Sequence, residues 1–229
     1  MNRLLFCVCL LCLMSTGLLR AQEKPNCLAP SNEPLVQAIR EGDLENARAM
    51  IRSGAKLNIL DQCSANPLWE AIRWNQTDFA FELISAGADP KFPDGGAEAL
   101  IGTAFLCNTR LARELLKRGV PVNASRSSGV TALMDAPSQR CADGAMVQLL
   151  LEGGADPNAK SKDGFSALLA AAETGDAAGA EKLLKAGADP SAKDKYGNTP
   201  ESEACGRGER GHVEVCALLQ EAARSAAAH

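Results

Sequence analysis

Cysteine is the reactive residue this chain has in quantity: nine Cys stand against two His in 229 residues. Cys7, Cys9 and Cys12 lie inside the apolar stretch Leu4 to Leu13, and Cys27, Cys63, Cys107, Cys141, Cys205 and Cys216 are spread over the rest. Thiols at such spacings offer metal binding, haem attachment, nucleophilic catalysis or disulfide pairing. A structural zinc site needs ligands grouped closely, and no Cys-x-x-Cys or paired His follows the N-terminal stretch. Cys-x-x-Cys-His, the haem attachment motif, is absent. A nucleophile needs a base, yet the chain offers only His212 and His229, the latter ending an Ala-rich tail, and neither has a Ser, Cys or Asp at triad-like spacing. Gly206-Arg207-Gly208 reads as a stretched turn between helices rather than a phosphate cradle. The expectation is therefore no enzyme, no catalytic residue, no cofactor and no metal. Disulfides remain, because six is an even number that allows fifteen pairings, with buried free thiols as the alternative.

The N-terminus supports an oxidising destination. Met1-Asn2-Arg3 opens positively, Leu4 to Leu13 is a ten-residue apolar run, and Ser15-Thr16-Gly17 and Leu19-Arg20-Ala21 supply small residues of the kind found at cleavage sites. Residues 1–21 are read as a secretory signal peptide, with the mature chain beginning near Gln22. The run is about half the length a membrane-spanning helix requires, so no stable span is expected after cleavage. Phe6 and Leu11, large residues directly before Cys7 and Cys12, argue against a lipid-attachment cysteine. The expected location is periplasmic in a bacterium and otherwise secreted.

What positions the six later cysteines is a repeat. Ile84-Ser85-Ala86-Gly87-Ala88-Asp89-Pro90, Leu151-Glu152-Gly153-Gly154-Ala155-Asp156-Pro157 and Leu184-Lys185-Ala186-Gly187-Ala188-Asp189-Pro190 share one motif, with degenerate copies at 51–58 and 116–123. Gly54, Gly87, Gly119, Gly154 and Gly187 are spaced by 33, 32, 35 and 33 residues, the unit length of a turn plus two helices. A second motif runs in phase: Asp194-Lys195-Tyr196-Gly197-Asn198-Thr199-Pro200, and more weakly Asp61 to Leu68 and Gly129 to Leu133. Thr or Ser followed by Pro is a helix start, since the hydroxyl accepts an orphan N–H and Pro needs none. Gly followed by Asp-Pro is a helix stop. Ala71, Ala104, Ala136, Ala171 and Ala172 are the small residues that let helix pairs approach, and Leu83, Leu115, Leu150 and Leu183 fill the space between layers.

Together the two motifs resemble the ankyrin-repeat family over roughly 31–220. The resemblance implies an all-α solenoid of about six helix-turn-helix units with short β-turn tips, at 31–63, 64–95, 96–128, 129–163, 164–196 and 197–220, between an extension at 22–30 and a tail at 221–229. The helix-start position falls at Glu33, Asn66, Glu98, Thr131, Ser166 and Thr199, and His212 takes the family's Gly-His place. Composition agrees: 46% hydrophobic with only 4% aromatic residues suits thin aliphatic layers. A net charge of −4, or −6 once Arg3 and Arg20 leave with the leader, argues against a nucleic-acid surface.

The repeat register also narrows the cysteine pairings. Cys27 and Cys63 come near adjacent turn tips, where they would staple the N-terminal cap. Cys107 and Cys141 fall beside the inter-helix turns of consecutive units, and Cys205 and Cys216 on the two helices of one unit. The family's concave face, built from turn tips and the exposed ends of first helices, implies partner-binding positions at Arg40, Arg73, Trp74, Phe105, Leu106, Phe165 and Tyr196, aromatic and Arg residues being common interface anchors. Trp69, Phe79 and Phe81 fall at packing positions. Phe105 and Leu106 would equally cover an imperfect third unit that lacks Thr-Pro, and Trp74 has contact and core readings. Asn75-Gln76-Thr77 and Asn123-Ala124-Ser125 are glycosylation sequons in a eukaryotic host. The function implied is protein binding, as adaptor, inhibitor or immunity-type partner, or accessory to an exported enzyme. The alternative is a structural or oxidative-stress-related envelope protein without one dedicated partner.

Overall fold

Helix starts and stops recur in phase, so the chain folds as a stack of antiparallel helix pairs. The computed structural model describes residues 33–137, 141, 143–206 and 208–227. The leader, the extension, Cys27 and with it the Cys27–Cys63 pairing, and His229 lie outside the described residues. The pairs are α1 Pro34–Glu41 with α2 Leu44–Arg52, α3 Pro67–Arg73 with α4 Thr77–Ser85, and α5 Ala97–Phe105 with α6 Thr109–Lys117. They continue as α7 Ala132–Asp135 with α8 Ala145–Glu152, α9 Ala167–Thr174 with α10 Ala177–Lys185, and α11 Pro200–Ala204 with α12 Arg210–Ala227. Among the described residues no β-strand forms, and one isolated bridge joins Ser125 to Thr131. α12 runs on through the segment expected as a tail.

The start signals work with differing success. Asn66, Ser166 and Thr199 accept the backbone N–H of Trp69, Leu169 and Ser202 at 2.7, 3.3 and 3.1 Å. Thr131 caps nothing, and α7 behind it lasts four residues. The third unit departs from the expected register: Glu98 is not the cap but lies in the first turn of α5, whose cap is Gly96 at φ 89°. Asp94 replaces the missing hydroxyl by accepting from Gly96 N at 3.0 Å and Glu98 N at 3.1 Å. Gly96 is obligatory there, since an added Cβ would fall within 2.8 Å of Val120 and the Pro90 carbonyl. At the stops, the Asp of each Gly-Ala-Asp-Pro folds a side-chain turn, Asp89, Asp156 and Asp189 accepting from Lys91, Asn158 and Ser191 N at 2.8 to 2.9 Å.

Stacking follows the sequence pattern. Ala71, Ala104, Ala136, Ala171 and Ala172, with Leu83, Leu115, Leu150 and Leu183, are all fully buried in one continuous core. Trp69 packs so closely on α5 that a Cβ at Gly102 would overlap its ring. Phe79 is buried, and Phe81 is half-buried beneath the Arg110 guanidinium, 4.4 Å from its ring centre. Polar side chains bridge the units as well. Asn58, Asn123 and Asn158 accept from the N–H of Asp89, Asp156 and Asp189, one unit later, at 2.8 to 3.0 Å.

At the start of the second helices a different bridge recurs. Gln76 donates to the Ile39 carbonyl at 2.8 Å, and His212 Nε2 meets the Glu173 carbonyl at 3.0 Å, each reaching back to the preceding first helix. Between the third and fourth units Cys141 holds that place, 4.0 Å from the Ala104 carbonyl, and is disulfide-bonded to Cys107 with a Cα separation of 5.5 Å. A second disulfide, Cys205–Cys216, closes the α11–α12 hairpin with Cα atoms 5.0 Å apart. Cys63 is half-buried.

Cutting a bond with one sulfur in each of two units removes the whole constraint whichever sulfur is lost. Cys107→Ala and Cys141→Ala should each cost on the order of 4 kcal/mol in the chain-entropy picture, and the double variant scarcely more. Urea unfolding of the three proteins checks this; additive losses would contradict a shared bond.

Candidate functional site

The face expected to recognise a partner is the side of the stack carrying the turn tips and the ends of the first helices. Its first residue is not available as predicted. Arg40, in the last turn of α1, has a side chain only 15% exposed and is held by two fully buried carboxylates: Nε to Glu70 Oε1 at 2.8 Å and Nη2 to Asp61 Oδ2 at 3.1 Å. Burial draws the Arg40 guanidinium pKa down, but the hydrogen bonds and charges of Glu70 and Asp61 outweigh it and raise the pKa above its ordinary value. Asp61 also shapes the turn tip, its Oδ1 accepting from Cys63 and Ala65 N at 2.8 and 2.9 Å. Arg40 is thus a clamp between the first and second units rather than a free anchor, because two carboxylates at the seam require a counter-charge. Arg126 does similar work between the third and fourth units, with Glu98 at 2.9 Å and Asp135 at 3.7 Å. Burial pushes the Asp135 carboxyl above the usual carboxylate range, Arg126 opposing this and Glu98 adding to it.

Trp74 combines its two readings. It is the C-terminal cap of α3, its indole N–H donates to Glu70 Oε1 at 2.9 Å, and its ring stays 37% exposed. Next to it Arg73 is exposed, and one unit later Phe105, the last residue of α5, is 36% exposed. Leu106 takes the second of its two readings: it is half-buried and packs on the core, beside the imperfect third unit. Phe165 is likewise half-buried at its tip, where its N–H and carbonyl both bond Ser161. Tyr196 is 77% exposed, with Lys195 Nζ 4.9 Å from its ring centre and 2.8 Å from Asp163. The structure therefore places Arg73, Trp74 and Phe105 on neighbouring first-helix ends, and leaves Tyr196 apart on the sixth unit.

Glu70 was not singled out in the sequence. It follows Pro67 in an ordinary helix, and its partner lies thirty positions earlier, so no local spacing marks it. Among the described residues no three His, Cys, Asp or Glu side chains are placed to hold a metal ion, and no helix is long and apolar enough to cross a membrane.

Comparison with known proteins bears on this geometry. A family profile described as Ankyrin repeats matches residues 138–227, in three copies. An ankyrin repeat-containing protein of Treponema pallidum (strain Nichols) is 30% identical over 137 residues, covering 59% of this chain and 45% of that one. Ankyrin repeat and SOCS box protein 6 of Homo sapiens is 36% identical over 128 residues, 52% of this chain and 30% of that one. Ankyrin repeat and KH domain-containing protein mask-1 of Caenorhabditis elegans is 32% identical over 150 residues, 64% of this chain and 6% of that one. The chain thus matches less than half the length of each of these relatives.

Glu70→Ala should destabilise the fold by roughly 3 to 5 kcal/mol, because it strands the Arg40 charge beside a single carboxylate. Arg40→Met with Glu70→Leu should recover part of that loss. Denaturant unfolding followed by Trp fluorescence reads both, and a Glu70→Ala midpoint equal to the parent's would remove the clamp from the account.

Proposed function

We propose that this chain, which carries ankyrin repeats, is an exported binding protein that holds another protein against the first-helix ends and turn tips. Ankyrin repeats generally mediate protein–protein interaction, and the observation carrying the reading here is the run of large exposed side chains at Arg73, Trp74 and Phe105, with Tyr196 further along. Side chains of this size on rigid helix ends bury much area at small entropic cost when a partner arrives. On the same face Arg40 is tied to Glu70 and Asp61 and Arg126 to Glu98, while the aromatic rings remain exposed. Binding without turnover is the reading, ankyrin repeats being generally non-catalytic interaction modules.

Export is supported by the apolar leader and by two disulfides, a bond type that persists in periplasmic and secreted proteins. The role in that compartment is adaptor, inhibitor or immunity-type partner, or accessory to an exported enzyme.

Because Trp74 also bonds the buried Glu70 of the Arg40 clamp, the test uses the exposed rings of Phe105 and Tyr196. Phe105→Ala and Tyr196→Ala should weaken capture of a partner from the host's exported fraction by roughly 1 to 3 kcal/mol while the thermal midpoint barely moves. Leu150→Ala should instead cost roughly 2 to 5 kcal/mol of folding stability. Unfolding on aromatic substitution with capture retained would show that the rings serve the core. Separately, intact-mass measurement of alkylated, natively exported protein should find the leader removed near Gln22 and Cys107, Cys141, Cys205 and Cys216 unlabelled; a retained leader or labelled thiols at these positions would refute export into an oxidising compartment.

A further inference from the structure

The two disulfides stand in opposite environments. Cys141 is 5% exposed and belongs to the core, with Cys107 half-buried against it between two inner units. Cys205 is exposed at the C-terminal cap of α11, and Cys216 is half-buried on α12. Around Cys205 the surface is open: Ala204, Cys205, Gly206, Gly208, Val213 and Cys216 line a hollow of about 310 Å³. A methyl group added at Gly206 or Gly208 would meet nothing within 4 Å, and Val213 offers an apolar wall that is 55% exposed. The amide of Gln220 lies 4.0 Å from Cys205 Sγ. A thiol can therefore approach Cys205, whereas Cys141 is walled off by packing, and access governs the rate of thiol–disulfide exchange.

The consequence of opening the bond is local. α11 is five residues long, too short to persist without its partner, and among the described residues the sixth unit stacks on the fifth. α12 has other anchors: Val215 and Leu219 are buried, and His212 meets the Glu173 carbonyl. Losing the disulfide should free α11 and the turn behind it while α12 stays seated.

We propose that Cys205–Cys216 is a thiol-exchange site for low-molecular-mass thiols of the glutathione type, and that its opening selectively loosens the segment 200–209. A thiolate attacks Cys205 Sγ, a bond forms between the two sulfurs, and the Cys205–Cys216 bond breaks with Cys216 leaving as a thiolate that takes a proton from water. A second thiol then attacks the mixed disulfide, releasing Cys205 as a thiol and the small thiol as its own disulfide. Two thiols are oxidised and one protein disulfide is reduced.

The test is titration of the oxidised full chain with reduced glutathione, quenching with an alkylating agent and peptide mapping by mass. Cys205 should carry the glutathione adduct, and the Cys205–Cys216 pair should open at about one tenth or less of the thiol needed for Cys107–Cys141. Simultaneous or reversed opening, or adducts confined to Cys216, would overturn the assignment. Amide exchange in 200–209 should accelerate by about tenfold or more on selective reduction, with 97–117 unchanged. Unchanged exchange in 200–209 would overturn the loosening. Cys205→Ser with Cys216→Ser should reproduce the fast exchange without added thiol; if that variant does not fold, the titration of the parent chain still decides both points.

Discussion

Everything in this molecule depends on the seam between neighbouring helix pairs. A pair such as α3–α4 has an apolar face on both sides and no means of covering either alone, so each unit is stable only against the next. Fully buried Ala residues bring the backbones close, and Leu83, Leu115, Leu150 and Leu183 fill what is left. Close approach also exposes a problem, since first helices end with carbonyls facing the next unit. At the corresponding place the Gln76 amide and the His212 imidazole meet such a carbonyl, while at the third-to-fourth seam a disulfide, Cys107–Cys141, ties the units together instead. The covalent answer falls where the neighbouring elements are weakest, beside the one-turn α7 and the uncapped Thr131.

The same seams govern the charge on the prospective binding face. Arg40 holds Asp61 of its own unit and reaches across the first seam to Glu70, and Arg126 holds Glu98 of its own unit and faces Asp135 across the third. The carboxylates on Arg40 are buried, and a buried pair adds little stability beyond what apolar residues would supply although breaking it is costly; the Arg126 group is more open to solvent. Beside them the face offers solvent the rings of Trp74, Phe105 and Tyr196 together with the charge of Arg73. Trp74 belongs to both systems, tied to Glu70 by its indole N–H while showing part of its ring.

The two disulfides divide along the same line. One joins two inner units through buried Cys141 and half-buried Cys107, and the other closes the sixth hairpin, which among the described residues packs on the fifth unit. Position in the stack, rather than the chemistry of cysteine, decides which of them solvent reaches.

Sequence alone determined the unit length, the helix-pair architecture and the aliphatic core positions, because starts, stops and apolar positions are local signals that repeat in phase; it left the cysteine pairing open among alternatives, and the structure joins Cys107 to Cys141 and Cys205 to Cys216. Sequence also led to Arg73, Trp74, Phe105 and Tyr196 as exposed side chains. Where the local signal was missing it failed: the third unit has no Thr-Pro, and its helix begins on Gly96 and Asp94 rather than at Glu98. Helix-end register points to Arg40 and Phe165 as binding positions and leaves Leu106 between contact and cover, since it says which way a residue points but not what the next unit brings against it. Only the tertiary structure places Glu70 and Asp61 against Arg40, thirty and twenty-one residues away. Curvature and stacking distance set those encounters, and neither is written in any single repeat.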